Sequence, residues 1–389
     1  MNEIYLDNSA STRPYPEVID FMATVLDKNY GNPSSLHSKG IDAEKVFEEA
    51  RRRIASFFNE REEEISFTSG GTEANNLAIK GAALRNKNRG NHLITSQVEH
   101  PSVLNCFRYL EENEGFTVDY LPVDSKGLVN PEQVRELVNE NTVLISIMHV
   151  NNEVGSIQPL EEIGPLIKAG NPNALFHVDA VQSFARMHLD IAAWQADLVS
   201  CSAHKIHGPR GVGCLWVKKG TLIRPLLHGG GQESELRPGT ENVPAAAGFG
   251  LAAQMTGEKR ERKAAATSSL KLSFYRALEK SGVEFYVNGP EPEEGAIHII
   301  NLSFPGLPSE VMLRSLEERG IYASAGSACH SRKPEPSHIL QALNLSDDKL
   351  HSALRFSFSL YNSEQEIQFA AAQTAEVARE LQLMFQNKT

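Results

Sequence analysis

Apolar positions along this chain fall into two alternating textures. Short runs rich in β-branched and apolar residues read as strands: Ile65 to Thr68, His92 to Thr95, Thr117 to Leu121, Val143 to Met148, Leu175 to Val178, Leu198 to Cys201 and Val212 to Val217. Between them, apolar residues recur at helical spacing, as at Phe47, Ala50, Ile54, Phe57 and Phe58. The segments Pro131 to Val138 and Pro159 to Ile167 open with proline, which suits the first helical position because that N–H has no partner anyway. Strand and helix in turn is the rhythm of βαβ units, and it predicts a doubly wound α/β core on a mostly parallel, seven-stranded sheet.

From about Ala245 the texture changes to an Ala, Lys, Arg and Glu stretch reaching about Lys280, which predicts one extended helix bridging two domains. Beyond it, strands near Val283 to Val287, Ala296 to Ser303 and Leu354 to Phe358, with helices near Ser309 to Arg319 and Ser363 to Leu383, form a smaller α+β unit. At 389 residues the chain exceeds the size at which a single core stops growing, so two domains are expected.

Composition narrows the choice of function. With 41% hydrophobic and 22% charged residues the chain has material for an extensive core. A formal charge of −11 gives no uniform basic field for a phosphate backbone, so stable nucleic-acid binding is not expected. The first residues lack a basic and then apolar leader, and no apolar run approaches the length of a membrane span. Four widely spaced cysteines, Cys106, Cys201, Cys214 and Cys329, make no disulfide framework, so a reducing, cytoplasmic setting is expected.

Three segments carry candidate chemistry. Thr68-Ser69-Gly70-Gly71-Thr72-Glu73 follows a strand and opens a helix, where backbone amides and the helix dipole favour an anion. It is neither a Walker loop nor a dinucleotide fingerprint, and taken alone an ordinary hydroxyl-capped turn explains it equally well. His177-Val178-Asp179-Ala180-Val181-Gln182 puts a carboxylate at the carboxyl end of a strand, with Gln182 a turn later. Ser202-Ala203-His204-Lys205 adds a hydroxyl, an imidazole and an amine at the end of the next strand. A carboxylate for a pyridine nitrogen beside a lysine for an aldehyde is the pairing that pyridoxal phosphate requires.

These segments resemble the NifS/IscS-like class I cysteine desulfurases, within the fold-type I, class V pyridoxal-phosphate enzymes. The likeness runs nearly end to end, through Tyr5-Leu6-Asp7-Asn8-Ser9-Ala10, Gly31-Asn32-Pro33-Ser34-Ser35, Glu99-His100, His149-Val150-Asn151-Asn152-Glu153, Arg237-Pro238-Gly239-Thr240 and Ser327-Ala328-Cys329. It implies a large cofactor domain over 15–257, and a small domain from 1–14 and 258–389. It also implies that Lys205 holds the cofactor, Asp179 keeps the ring nitrogen protonated, and His100 stacks on the ring and shuttles protons. Gln182 and Asn151 are expected near the phenolic oxygen, and Gly71, Thr72, Ser202 and His204 at the phosphate. In such relatives the threonine matching Thr240 reaches the neighbouring subunit's phosphate, which implies a homodimer. Arg355 looks like the clamp for the L-cysteine carboxylate, a task suited to a planar fork, and Asn151 is expected to touch the substrate as well. A salt bridge between helix and sheet is its plainer reading.

Cys329 lies in Ala323-Ser324-Ala325-Gly326-Ser327-Ala328-Cys329-His330-Ser331, a stretch of small residues expected to be mobile, in a loop of about 323–336. Its sulfur is expected to attack the substrate's Sγ, carry the sulfur as a persulfide and pass it to an acceptor protein, in iron-sulfur assembly, tRNA thiolation or similar work. No partner set at zinc spacing accompanies Cys329 and His330, so no metal is expected. The other three cysteines sit in apolar or strand contexts and read as buried small hydrophobes. The nearest alternative activity is selenocysteine lyase or another reaction of the same class. His330 stands where threonine or serine is common, and Ser9 and Ser11 where alanine and threonine are more usual.

Overall fold

The computed structural model describes residues 3–326 and 336–386. The first half of the chain runs β1 (Ile4–Tyr5), α1 (Pro16–Lys28), α2 (Ser38–Ala55), β2 (Ile65–Thr68), α3 (Gly71–Asn86), β3 (His92–Ser96), α4 (Pro101–Glu114), β4 (Thr117–Leu121), α5 (Pro131–Leu137), β5 (Thr142–Ser146), α6 (Leu160–Gly170) and β6 (Leu175–Asp179). It continues with β7 (Leu198–Ser202), β8 (Gly213–Val217), α7 (Val243–Gly257), α8 (Arg260–Ser281), β9 (Tyr286–Val287), β10 (Ile299–Ser303), α9 (Ser309–Glu317), β11 (Ile321–Tyr322), α10 (His338–Ala342), α11 (Asp347–His351), β12 (Ala353–Ser357) and α12 (Glu364–Gln386).

The main sheet has seven strands in the order β2-β8-β7-β6-β5-β3-β4, and only β8 runs against its neighbours. Strands β3, β5, β6 and β7 are buried at every residue except Leu175, because helices cover both faces of a parallel sheet. One cluster gathers α1, α2, α6 and α7 over one face, around Phe47, Ile54, Phe176, Phe184 and Phe249. A second packs α3 and α4 on the other through Leu77, Phe107 and Leu144. Connections leave β3 in one direction towards β4 and leave β5 in the other towards β6, so a crevice opens beyond their carboxyl ends.

A separate core forms around β10 and β12, where Phe356 of β12 meets Phe274, Met312, Leu316 and Val377 from α8, α9 and α12. The N-terminal strand joins this unit: β1 pairs with β11, and Ile4 and Leu6 are buried in the same cluster. No helix among the described residues is long and apolar enough to cross a membrane.

The expected single helix from Ala245 to Lys280 is two. Helix α7 ends at Gly257, whose added Cβ would lie 2.4 Å from Phe57, and Lys259 then takes a left-handed backbone (φ 53°) before α8 starts. Composition could not reveal this break, because Glu258 and Lys259 are good helix formers and the turn is set by packing.

Candidate active site

The carboxyl ends of β2, β3, β5, β6 and β7 point to one edge of the sheet, and the residues that follow them wall a cleft of about 510 Å³. Strand β2 gives way to Ser69, Gly70, Gly71 and Thr72 at the start of α3; the approach to α4 supplies His100; and the β5 loop supplies Met148, Val150 and Asn152. Asp179 ends β6 with Gln182 just beyond it, and Ser202 ends β7 with His204 and Lys205 just beyond it. The small unit closes the cleft with Arg355 of β12.

Lys205 Nζ donates to the carbonyls of Ser9 (2.5 Å) and Ala10 (2.9 Å). Burial, aided by the nearby Arg355 charge, lowers this amine to about 7 against the pull of Asp7 and Asp179, so much of it is unprotonated at neutral pH and able to bond an aldehyde. Asp179 is 6% exposed and accepts from Val181 N–H (3.0 Å) and from Asn75 Nδ2 (2.7 Å). Burial raises its carboxyl, while these donors and the Lys205 charge oppose the rise.

At the cup, Gly70 holds a backbone at φ 153°, and a Cβ on Gly71 would lie 2.8 Å from the Val181 side chain, so the close approach of α3 to the turn after β6 favours glycine there. The first amides of α3 have no intrahelical acceptor. Glu73, a step further on, accepts from Ser69 N–H (2.7 Å) and Arg237 Nε (2.8 Å), and these outweigh its burial to hold the carboxyl below its ordinary range. Ser202 Oγ is buried in the cleft wall with no hydrogen-bond partner. His204 is held to about 3 by burial and neighbouring positive charge, so it enters as a neutral imidazole. An orphaned hydroxyl, free helix amides, a lysine amine and a buried carboxylate suit pyridoxal phosphate, with its dianion, aldehyde and basic ring nitrogen.

Arg355 is 1% exposed; it donates to Asn152 O (2.9 Å) and pairs with Asp7 Oδ1 (2.7 Å), while its Nε has no partner. Gln182 donates to Ser9 O (2.9 Å) and faces His298 Nε2 (3.3 Å). Asn151 is fully buried behind the cleft. Its oxygen accepts from Glu153 and Val154 N–H and its amide donates to Val98 O, so Val150 and Asn152 form the wall there. Thr240 is exposed, outside the cleft lining. Cys329 lies outside the described residues; Cys106, Cys201 and Cys214 are buried free thiols, with Cys201 opposite Cys214 across β7 and β8. Sequence reasoning missed Asn75, Ser102 and Arg210 in the cleft wall. Asn75 had a readable signal, lying one helical turn after Gly71 on the face that the cup must turn inward.

A lysine amine and a carboxylate flanking a phosphate cup, at the switch point of a mainly parallel sheet, define a pyridoxal-phosphate enzyme. The chain belongs to the aminotransferase class-V family, whose model matches residues 4–369. It is 42% identical over 382 residues to a putative cysteine desulfurase, IscS 1, of Bacillus subtilis, covering 98% of this chain and all of that one. It is 39% identical to the cysteine desulfurase IscS of Methanosarcina thermophila, covering 98% and 93%. Among solved structures, a NifS-like protein superposes with a TM-score of 0.90 at 36% identity (97% and 99% covered), and SspA in complex with cysteine with 0.80 at 35% (93% and 100%).

Proposed function

We propose that the protein is a cysteine desulfurase that converts L-cysteine to L-alanine and keeps the sulfur on Cys329. The observation that carries this reading is the meeting of Lys205, Asp179 and the cup of α3 in one cleft, in a chain whose relatives bear that name over nearly their whole length. Pyridoxal phosphate, when bound, supplies an electron sink for the substrate Cα. Lys205 would hold its aldehyde end, Asp179 its ring nitrogen and His100 its ring, and Gly71, Thr72, Ser202 and His204 would hold its phosphate. Gln182 and Asn151 act near the phenolic oxygen, Gln182 directly and Asn151 by fixing the loop that presents Asn152.

Arg355 orients the substrate carboxylate, supported from behind by Asp7. Lys205 is the group whose lowered basicity fits it to take the Cα proton. The Cys329 thiolate attacks the substrate Sγ, the carbon–sulfur bond breaks, and the electron pair and proton returned to carbon give alanine. Because the other three thiols are buried, with burial raising Cys106 to about 12, they are poorly placed to act as nucleophiles.

The domain division at 15–257, with 1–14 and 258–389, fits the two separate cores and the pairing of β1 with β11. A homodimer follows if the exposed Thr240 serves a partner's phosphate. Delivery to an acceptor protein for iron-sulfur assembly or tRNA thiolation, in the cytoplasm, completes the proposal. The test is Cys329→Ser: alanine formation from cysteine falls to background while the absorbance band of lysine-bound cofactor persists, whereas full turnover would remove Cys329 from the role.

A further inference from the structure

Four side chains form a hydrogen-bonded line from one part of the cleft to another. Asn75, 1% exposed, donates through Nδ2 to Asp179 Oδ2 (2.7 Å) and to Ser102 Oγ (2.9 Å). Ser102 Oγ lies 2.8 Å from His100 Nδ1, and the Ser102 backbone N–H donates to the same nitrogen at 3.1 Å. His100 is also the N-cap of α4, its imidazole standing where a Ser or Asp oxygen usually accepts.

The donor and acceptor inventory allows one protonation pattern here. A backbone N–H can only donate, so His100 Nδ1 must present a lone pair. The same follows from the other direction. The Asp179 carboxylate turns the Asn75 amide so that its NH2 group faces both oxygens; Ser102 Oγ, accepting from that NH2, has its own hydrogen left for Nδ1. Flipping Asn75 would set its carbonyl against the carboxylate, and a proton on Nδ1 would set two donors against each other.

We infer that Asn75 and Ser102 are positioning residues that lock His100 as the neutral tautomer with its proton on Nε2, and so tie the state of His100 to that of Asp179. His100 then meets the substrate as a proton donor at Nε2, which leaves removal of the Cα proton to Lys205. This rests on the proposed placement of His100 and Asp179 at the cofactor. It adds two residues, neither of which serves the cofactor's phosphate or aldehyde.

The test is histidine-selective nitrogen-15 NMR of the protein with and without cofactor, with His100→Gln assigning the signal, alongside kinetics of Ser102→Ala, Ser102→Thr and Asn75→Leu. Wild type shows the Nε2–H form. Ser102→Ala, left with the longer backbone donor at 3.1 Å alone, admits a fraction of the Nδ1–H form and loses about three- to tenfold in kcat with the cofactor band intact, the loss expected for one hydrogen bond. Ser102→Thr, which restores the hydroxyl, restores both. Asn75→Leu, which frees the hydroxyl to rotate, moves the tautomer in the direction of Ser102→Ala. A wild-type proton on Nδ1, or a Ser102→Ala enzyme with wild-type tautomer and kcat, overturns the relay. A wild type that never develops the cofactor band instead refutes the underlying site, while the tautomer is still read in the cofactor-free protein.

Discussion

Replacing Arg355 with methionine separates its two roles, because methionine keeps much of the apolar volume and removes every donor. In the folded chain the guanidinium is 1% exposed and holds Asp7 Oδ1 at 2.7 Å and Asn152 O at 2.9 Å, with Nε unpartnered. Breaking a buried pair by removing one partner costs about 3–5 kcal/mol. Asp7 keeps some water contact, at 19% side-chain exposure, so the lower end, about 3 kcal/mol, is the expectation. For the substrate, each lost hydrogen bond between charged groups removes about 1.5–3 kcal/mol, which is roughly 10- to 150-fold in affinity. The assay is alanine production against cysteine concentration on enzyme first shown to be folded and to carry the cofactor band. The expected result is a KM raised by about tenfold or more with kcat changed much less, and a melting temperature lowered by several degrees. Folded, cofactor-loaded Arg355→Met with an unchanged KM would show that the substrate carboxylate is held elsewhere.

Other outcomes follow from the same geometry. Lys205→Ala should bind pyridoxal phosphate without the band of a lysine-bound cofactor and make no alanine; a retained band would mean that another amine does the work. Glu99 is fully buried, accepting from Ser96 Oγ (2.7 Å) and Met148 N–H (2.9 Å), and burial raises its carboxyl to about 8. The folded state therefore binds a proton there that the unfolded chain has released, so this group subtracts stability as pH rises from about 4.5 to about 8. Glu99→Gln should gain on wild type across that window in denaturant melts, and equal pH slopes for the two proteins would refute the assignment. Glu233 is gripped by Arg51 (2.7 Å) and accepts from Phe67 N–H (2.7 Å) on the edge strand β2. Glu233→Ala should lower stability by about 3 kcal/mol in chemical unfolding, with Glu48 softening the loss on the arginine side. Supplying cysteine and selenocysteine separately to wild type should give alanine from cysteine; turnover of selenocysteine alone would make the enzyme a lyase of the second substrate.

Much of this architecture was legible because a parallel sheet buries its strands completely. Runs such as Leu198 to Cys201 and Leu175 to Val178 therefore announce themselves, and their ends mark the cleft. Lys205, Asp179 and the Gly70-Gly71 cup were readable for the same reason, since each ends or follows a strand. The short pair β1 and β11 was not, because two-residue strands leave no periodicity to detect. Arg355 was singled out, yet its tie to Asp7 spans almost the whole chain, and no local pattern encodes a contact at that separation. The placement of Asn151 behind the wall, with Asn152 in front, turns on a single residue of register in an irregular loop, where neither helical nor strand spacing applies.

The opening segment of the chain works as a suture. Asn8 and Ser9 are stitched to Ser357 of β12, Thr12 is bonded on both sides to the turn after β7, and the carbonyls of Ser9 and Ala10 receive Lys205. A chain started a dozen codons late would keep every strand of the main sheet and still lose the floor under its own amine. A synthetic peptide of those residues, added in trans, is the natural reagent for mending it.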